Sequence, residues 1–256
     1  MQPHLDETAF DWIRCGLDER SDTGTPWAGY FVTRLMPPLF EAYAKILHRV
    51  DANYEYIDNP LSPAEIALLK IPRCEKLRSL IEARRANHQG TRVRWKEVAD
   101  LLDIPFAPAI CHEWYRKKLE ETCWPRHLRG PDDGNLRPEE RESLVEILRP
   151  FCVRGECFFR FSQVLSYRPD GDKPLLFRGA LDEIGELPSD KFYRVGPEYW
   201  WPSDRSWCVC SEFDLMYTFV GGPKELVSTL LANEVLECIE VTSQTRIDYH
   251  APMPGS

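Results

Sequence analysis

Between Tyr199 and Gly222 the chain reads Y-W-W-P-S-D-R-S-W-C-V-C-S-E-F-D-L-M-Y-T-F-V-G-G. Successive side chains of an extended strand point to opposite faces, so a period of two sorts residues into two sides. From Trp207 the alternation places Trp207, Val209, Ser211, Phe213, Leu215, Tyr217 and Phe219 on one side, with Cys208, Cys210, Glu212, Asp214, Met216 and Thr218 on the other. The first set predicts the core face of one central strand from Trp207 to Val220. A chain with such a strand has to supply a sheet around it.

The segments upstream read differently. Leu39, Phe40, Tyr43, Ala44, Ile46 and Leu47 recur every three to four residues and predict a helix ending near His48. Ser62-Pro63-Ala64-Glu65 has the form of a capping box and opens a helix to Lys70, and Leu77, Leu80 and Ile81 mark a further one. Trp95 to Leu102 and Pro108 to Glu121 predict two more helices. Arg129 to Pro138 (R-G-P-D-D-G-N-L-R-P) is dense in turn formers and places a boundary there. Residues 1–130 therefore read as mainly helical and 131–256 as α+β, two regions or one continuous domain.

Beyond the boundary, Pro138-Glu139-Glu140 starts a helix through Leu144, Val145, Ile147 and Leu148, with acids in the first turn, where the helix dipole favours them. Cys157 to Leu165 and Leu175 to Arg178 predict a hairpin, and Phe192 to Val195 a further strand. Pro223 leads into a helix on Leu226, Val227, Leu230 and Leu231, and Leu236 to Val241 is the last strand. The expected fold class is α+β, a helical N-terminal half packed on a mainly antiparallel sheet with flanking helices.

Composition narrows the function classes. The chain has 256 residues, 43% apolar, with eight tryptophans, which argues for a packed core. Neither a basic-then-apolar N-terminus nor an apolar run of membrane-spanning length occurs, so the reading is cytoplasmic with no membrane partner. Nine scattered cysteines then read as mostly reduced and buried. The net charge is −9, yet residues 70–96 hold nine Lys or Arg against two Glu, which leaves −16 for the rest. Such polarity marks either a surface for an acidic partner or two parts of one fold that attract each other.

Reactive side-chain types cluster at several places in the chain. Cys208, Cys210, Glu212 and Asp214 on one strand face offer metal or hydrolase chemistry, but C-x-C on a strand does not converge as zinc knuckles do. Cys152 and Cys157, C-x4-C, are also off that pattern unless a hairpin brings them close. Cys123 with His127, and Cys111 with His112, lack the geometry of a thiol and its base. Glu198, Asp204, Glu212 and Asp214 lie near tryptophans, an arrangement that paired-carboxylate enzymes use. Gly221-Gly222 is not a phosphate loop, since Pro223 removes a donor. Residues 95–119 have some likeness to a helix-turn-helix and follow the basic run, with Asp103 in place of the turn glycine.

At E-Y-W-W-P-S-D-R-S-W-C-V-C (198–210) and I-C-H-E-W-Y-R-K-K-L (110–119) the chain resembles a group of bacterial hypothetical proteins, over most of residues 30–250. The resemblance implies no activity and carries no site residue across. At the level of composition the acidic chain is also similar to bacterial immunity proteins, which block toxins through an acidic surface.

The expectation is a non-catalytic binding protein with an unknown protein partner and no cofactor or metal, its binding residues being Trp200, Trp201, Asp204, Arg205, Glu212 and Asp214. The first alternative is a DNA-binding regulator with a nucleic-acid surface at Arg84, Arg85, Arg92, Arg94, Lys96, Arg116 and Lys117; the second is a hydrolase or metal enzyme centred on Cys208 to Asp214.

Overall fold

A computed structural model describes residues 2–4, 6–17, 30–52, 90–111, 113–115, 128–161, 175–186, 196–248 and 251–254. The helices expected at Ser62 to Lys70 and around Leu77, the strand at Phe192 to Val195, the Cys123–His127 pair, and Arg84, Arg85, Arg116 and Lys117 lie outside those residues.

The strands in chain order are β1 (Gln2–Pro3), β2 (Ala42–Leu47), β3 (Val50–Ala52), β4 (Thr91–Val93), β5 (Leu128–Arg129), β6 (Glu156–Arg160), β7 (Leu176–Ala180), β8 (Tyr199–Pro202), β9 (Cys208–Cys210), β10 (Tyr217–Gly222) and β11 (Glu237–Val241). Eight of them form one antiparallel sheet in the order β1-β7-β6-β8-β9-β10-β2-β11, and β4-β3-β5 form a smaller one. Among the described residues the complete helices are α1 (Asp11–Arg14), α2 (Trp95–Leu101), α3 (Pro138–Leu148) and α4 (Lys224–Leu231).

The expected helical N-terminal half is overturned: the described residues form mostly a large antiparallel sheet with few, short helices. The segment expected as a helix ending at His48 is β2, between β10 and β11, with Tyr217 opposite Leu47 and Glu237 opposite that same residue on the other side. Both faces of β2 are buried: Ala44 and Ile46 belong to one core, Tyr43 and Leu47 to the other. A strand covered on both sides has no polar face, so its apolar residues fall at helical as easily as at strand spacing.

The single long strand from Trp207 to Val220 is also corrected. It is two strands, β9 and β10, joined by a turn at 211–216 in which Leu215 N–H donates to Glu212 O at 3.1 Å and Asp214 N–H to the Glu212 carboxylate at 2.9 Å. Cys208 and Cys210 are fully buried among Tyr199, Trp201, Tyr217 and Phe219, whereas Val209 faces the opposite core. Both faces of this ribbon are therefore core, and the stripe of thiols and acids does not exist as one surface.

Two layers cover the sheet. On one face α3 and α4 bury Leu144, Leu148, Leu226 and Leu230 against Phe159, Trp200, Val209 and Val220. On the other, Phe10 and Ile13 from the N-terminal segment, with Trp95, Val98, Trp114 and Tyr115, cover Tyr199, Trp201, Tyr217 and Phe219. Each such fully buried large side chain contributes about 1.5–3 kcal/mol. α2, α3 and α4 begin where the sequence signals say. Pro138 occupies the first turn of α3, and the Glu140 carboxylate reaches back to Arg137 N–H at 3.1 Å. α2 is capped from outside: both oxygens of Glu237 accept, from Trp95 N–H at 2.8 Å and Lys96 N–H at 3.0 Å.

Among the described residues no helix is long and apolar enough to cross a membrane.

Candidate functional site

The site is built where two loops meet at one end of the β9–β10 hairpin. Gly134 takes φ +65°, a left-handed conformation that glycine adopts freely, and a Cβ there would stand 2.6 Å from Phe213 Cα. That close approach lets Gly134 N–H donate to Leu215 O at 2.8 Å and seats the 131–136 loop on the 211–216 turn.

His48, just past β2, ties the same two pieces together from beneath. Its Nδ1 lies 2.8 Å from the Asp132 carbonyl, which can only accept, so Nδ1 carries the proton. Nε2 is then the acceptor for the Thr218 hydroxyl at 2.9 Å, and Thr218 Oγ1 accepts from Ser211 O–H at 2.6 Å. Burial pushes the His48 pKa down to about 4, so the imidazole is neutral at pH 7 and this tautomer is fixed. The chain Ser211, Thr218, His48, Asp132 carbonyl is thus satisfied and has one direction.

Ser211 ends that chain in the wall of a small cleft, with about 280 Å³ of space that includes open solvent, between the 134–136 loop, α3 and the start of β8. Trp200 and Ile184 form apolar wall, Gly196 and Pro197 one edge, and Arg141 is the charged residue among those described. Asn135 holds the edge in place, its Oδ1 accepting from Gly196 N–H at 2.6 Å.

Acids flank the lining residues in the chain. Asp133 precedes Gly134, and Glu212 follows Ser211. Burial, then the neighbouring charges of Asp214 and Glu198, drives the Glu212 carboxyl up to about 7 in spite of the Asp214 N–H that it accepts. Asp133 is raised by partial burial and by the charges of Asp214 and Asp132. Glu198, deeper, is raised by burial and held by Arg160 at 3.0 Å. Folding has gathered like charges from two loops about 80 residues apart, each making the others harder to ionise.

The predicted binding residues divide. Trp200 lines the cleft, and Glu212 and Asp214 belong to the turn that follows its lining residue Ser211. Trp201 is buried on the other face, stacked on Phe158 with ring centroids 5.5 Å apart. Asp204 and Arg205 occupy the turn between β8 and β9, at the opposite end of β9 from Glu212. Asp204 accepts from Ser206 N–H there, and the Arg205 guanidinium lies 5.5 Å from the Trp12 ring. Sequence reasoning missed His48, Asp133, Arg141, Ser211 and Thr218 as site residues. The one signal available was Asp132-Asp133-Gly134, read as turn punctuation.

Of the nucleic-acid set, the Arg92 guanidinium bonds the Val235 carbonyl and Arg94 those of Glu234 and Leu236, while Lys96 pairs with Asp100 at 2.7 Å. In the helix-turn-helix-like segment, Trp95, Val98, Ile104, Trp114 and Tyr115 are core. Among the described residues no group of three or more His, Cys, Asp or Glu is placed to hold a metal ion. Burial raises the thiols of Cys208 and Cys210 well above their ordinary value, so they stay protonated.

Comparisons with protein-family models, with curated proteins and with solved structures return no match.

Proposed function

We propose that this chain is a non-catalytic binding protein that recognises a cationic surface of a partner protein through the rim of the Ser211 cleft. The observation that carries the reading is the convergence of Asp133 and Glu212 around Asp214, beside the cleft, both raised by burial and by neighbouring negative charge. A fold that concentrates like charge loses stability locally and gains attraction for the opposite charge. The overall charge of −9 adds long-range steering of the same sign. The thiols of Cys208 and Cys210 are fully buried in one core and stay protonated, which favours binding over chemistry at that strand. An immunity-type role, in which an acidic face covers a basic partner, fits the same rim.

Binding of a fluorescein-labelled peptide of alternating Lys and Gly, followed by anisotropy, tests the reading. Exposed ion pairs contribute about 0.2–1 kcal/mol each, so Asp133→Asn with Glu212→Gln weakens binding up to roughly 30-fold at low salt. The charge-matched control Glu225→Gln with Glu240→Gln, on the exposed side of α4 and β11, leaves it unchanged. Equal losses in the two variants would reduce the interaction to net charge and remove the rim as a site.

A further inference from the structure

α3 runs through a short turn at Arg149–Phe151 into a reversal before β6, and Cys152 and Cys157 stand at the two ends of that reversal. Their sulfurs are 3.4 Å apart. The approach is built by the backbone: Gly155 N–H donates to Cys152 O at 3.0 Å, and Gly155 sits at φ +69°, where glycine is unstrained. A Cβ at Gly155 would meet nothing within 4 Å, so the reversal has open space beside it. A disulfide needs its sulfurs at about 2.05 Å. The free turn has room to supply that further approach while α3 and β6 stay packed.

The two thiols are not equivalent. Cys157 is fully buried in the core under α3 and α4, and burial together with the neighbouring sulfur raises its pKa, so it keeps its proton. Cys152 is partly exposed, and of the two it is the residue open to solvent. An exposed attacking thiol beside a protected resolving one is the arrangement of oxidisable cysteine pairs.

We propose that Cys152 and Cys157 form a peroxide-oxidisable pair that closes to an intramolecular disulfide. The Cys152 thiolate attacks one oxygen of hydrogen peroxide; the O–O bond breaks, hydroxide leaves, and Cys152 becomes a sulfenic acid. The Cys157 thiol then loses its proton as its sulfur attacks Cys152 Sγ, the S–O bond breaks and water leaves. Two thiols lose two electrons and two protons, and peroxide is reduced to two waters. The bond fastens the end of α3 to β6. It lies next to the Phe151 carbonyl, which accepts from Trp207 Nε1–H at 3.2 Å and from Ser206 O–H at 3.3 Å, so closure is felt at the start of β9.

The test uses the full chain with Cys15→Ser, because Cys15 is an exposed thiol that would add intermolecular bridges. Reduced protein is treated with hydrogen peroxide, alkylated with iodoacetamide and cut with trypsin without reduction. Cleavage after Arg154 separates the cysteines, so the disulfide appears as peptides 142–154 and 155–160 joined. In the Cys157→Ser variant the sulfenic acid persists at Cys152 and is trapped by dimedone. Recovery of both cysteines alkylated, a sulfinic acid at Cys152 with Cys157 still free, or linkage of either to another cysteine would each overturn the proposal.

Discussion

Acidifying the solution should break the His48 linkage, and its size follows from the structure. His48 is buried, donates to the Asp132 carbonyl at 2.8 Å and accepts from Thr218 at 2.9 Å, and its pKa lies near 4 against 6.5 for an ordinary histidine. A group with a depressed folded pKa takes up its proton more readily when unfolded. Its stabilising effect is complete above about pH 6.5 and is lost as pH falls toward 4. Two and a half units at 1.36 kcal/mol each set a ceiling of about 3 kcal/mol, and the loss between pH 7 and pH 4.5 is roughly 2 kcal/mol. Other groups titrate over the same range, among them Glu140 and Glu212 with shifts of opposite sign. The quantity to measure is therefore the stability difference between the wild type and His48→Gln, from urea unfolding at pH 7, 5.5 and 4.5. Glutamine keeps a donor and an acceptor but does not titrate. The wild-type advantage should shrink by roughly 2 kcal/mol over that interval. A difference independent of pH would mean that His48 is solvated in the folded protein, and one that grows on acidification that it is already charged; either would make the directed Ser211–Thr218–His48 chain wrong.

Gly134→Ala combines a left-handed backbone with a Cβ 2.6 Å from the Phe213 backbone, and should lower stability by about 2 kcal/mol or more in thermal or urea unfolding. Glu140, in the first turn of α3, is buried with a pKa near 7 against 4.5, so the wild type loses stability as pH rises from 4.5 to 7; Glu140→Gln removes that loss and should gain roughly 2 kcal/mol relative to wild type between pH 5 and pH 8. Because Glu212 ionises near pH 7, affinity for the Lys-Gly peptide should rise between pH 6 and pH 8 in the wild type and much less in Glu212→Gln, read by anisotropy.

The parts legible in the sequence are those whose signals are local. α3 and α4 were placed within a residue or two because proline and acids mark the start of α3, Pro223 precedes α4, and both carry an apolar stripe on one side only. The β6–β7 hairpin was found on a run of apolar residues broken by turn formers. β2 was misread because layers on both sides of the sheet remove the polar face that would have shown a period of two. The 211–216 turn was hidden because Phe213 and Leu215 continue the alternation of β9 while the backbone reverses, held by the Glu212 side chain. Trp200, Glu212 and Asp214 were chosen for residue type, which was enough to reach the rim. Asp133, Gly134 and His48 reach it only through pairing across 80 residues or more of chain, which no local pattern encodes. The Cys152–Cys157 approach depends on a positive φ at Gly155, a conformation that a glycine permits without announcing.

Carbodiimide coupling of the Lys-Gly peptide to the protein, with the modified carboxylates located by peptide mapping, bears most directly on the recognition surface. The adducts should fall on Asp133 and Glu212. Adducts spread over Glu225, Glu234 and Glu240 with Asp133 and Glu212 untouched would show that the rim is not where a basic partner docks.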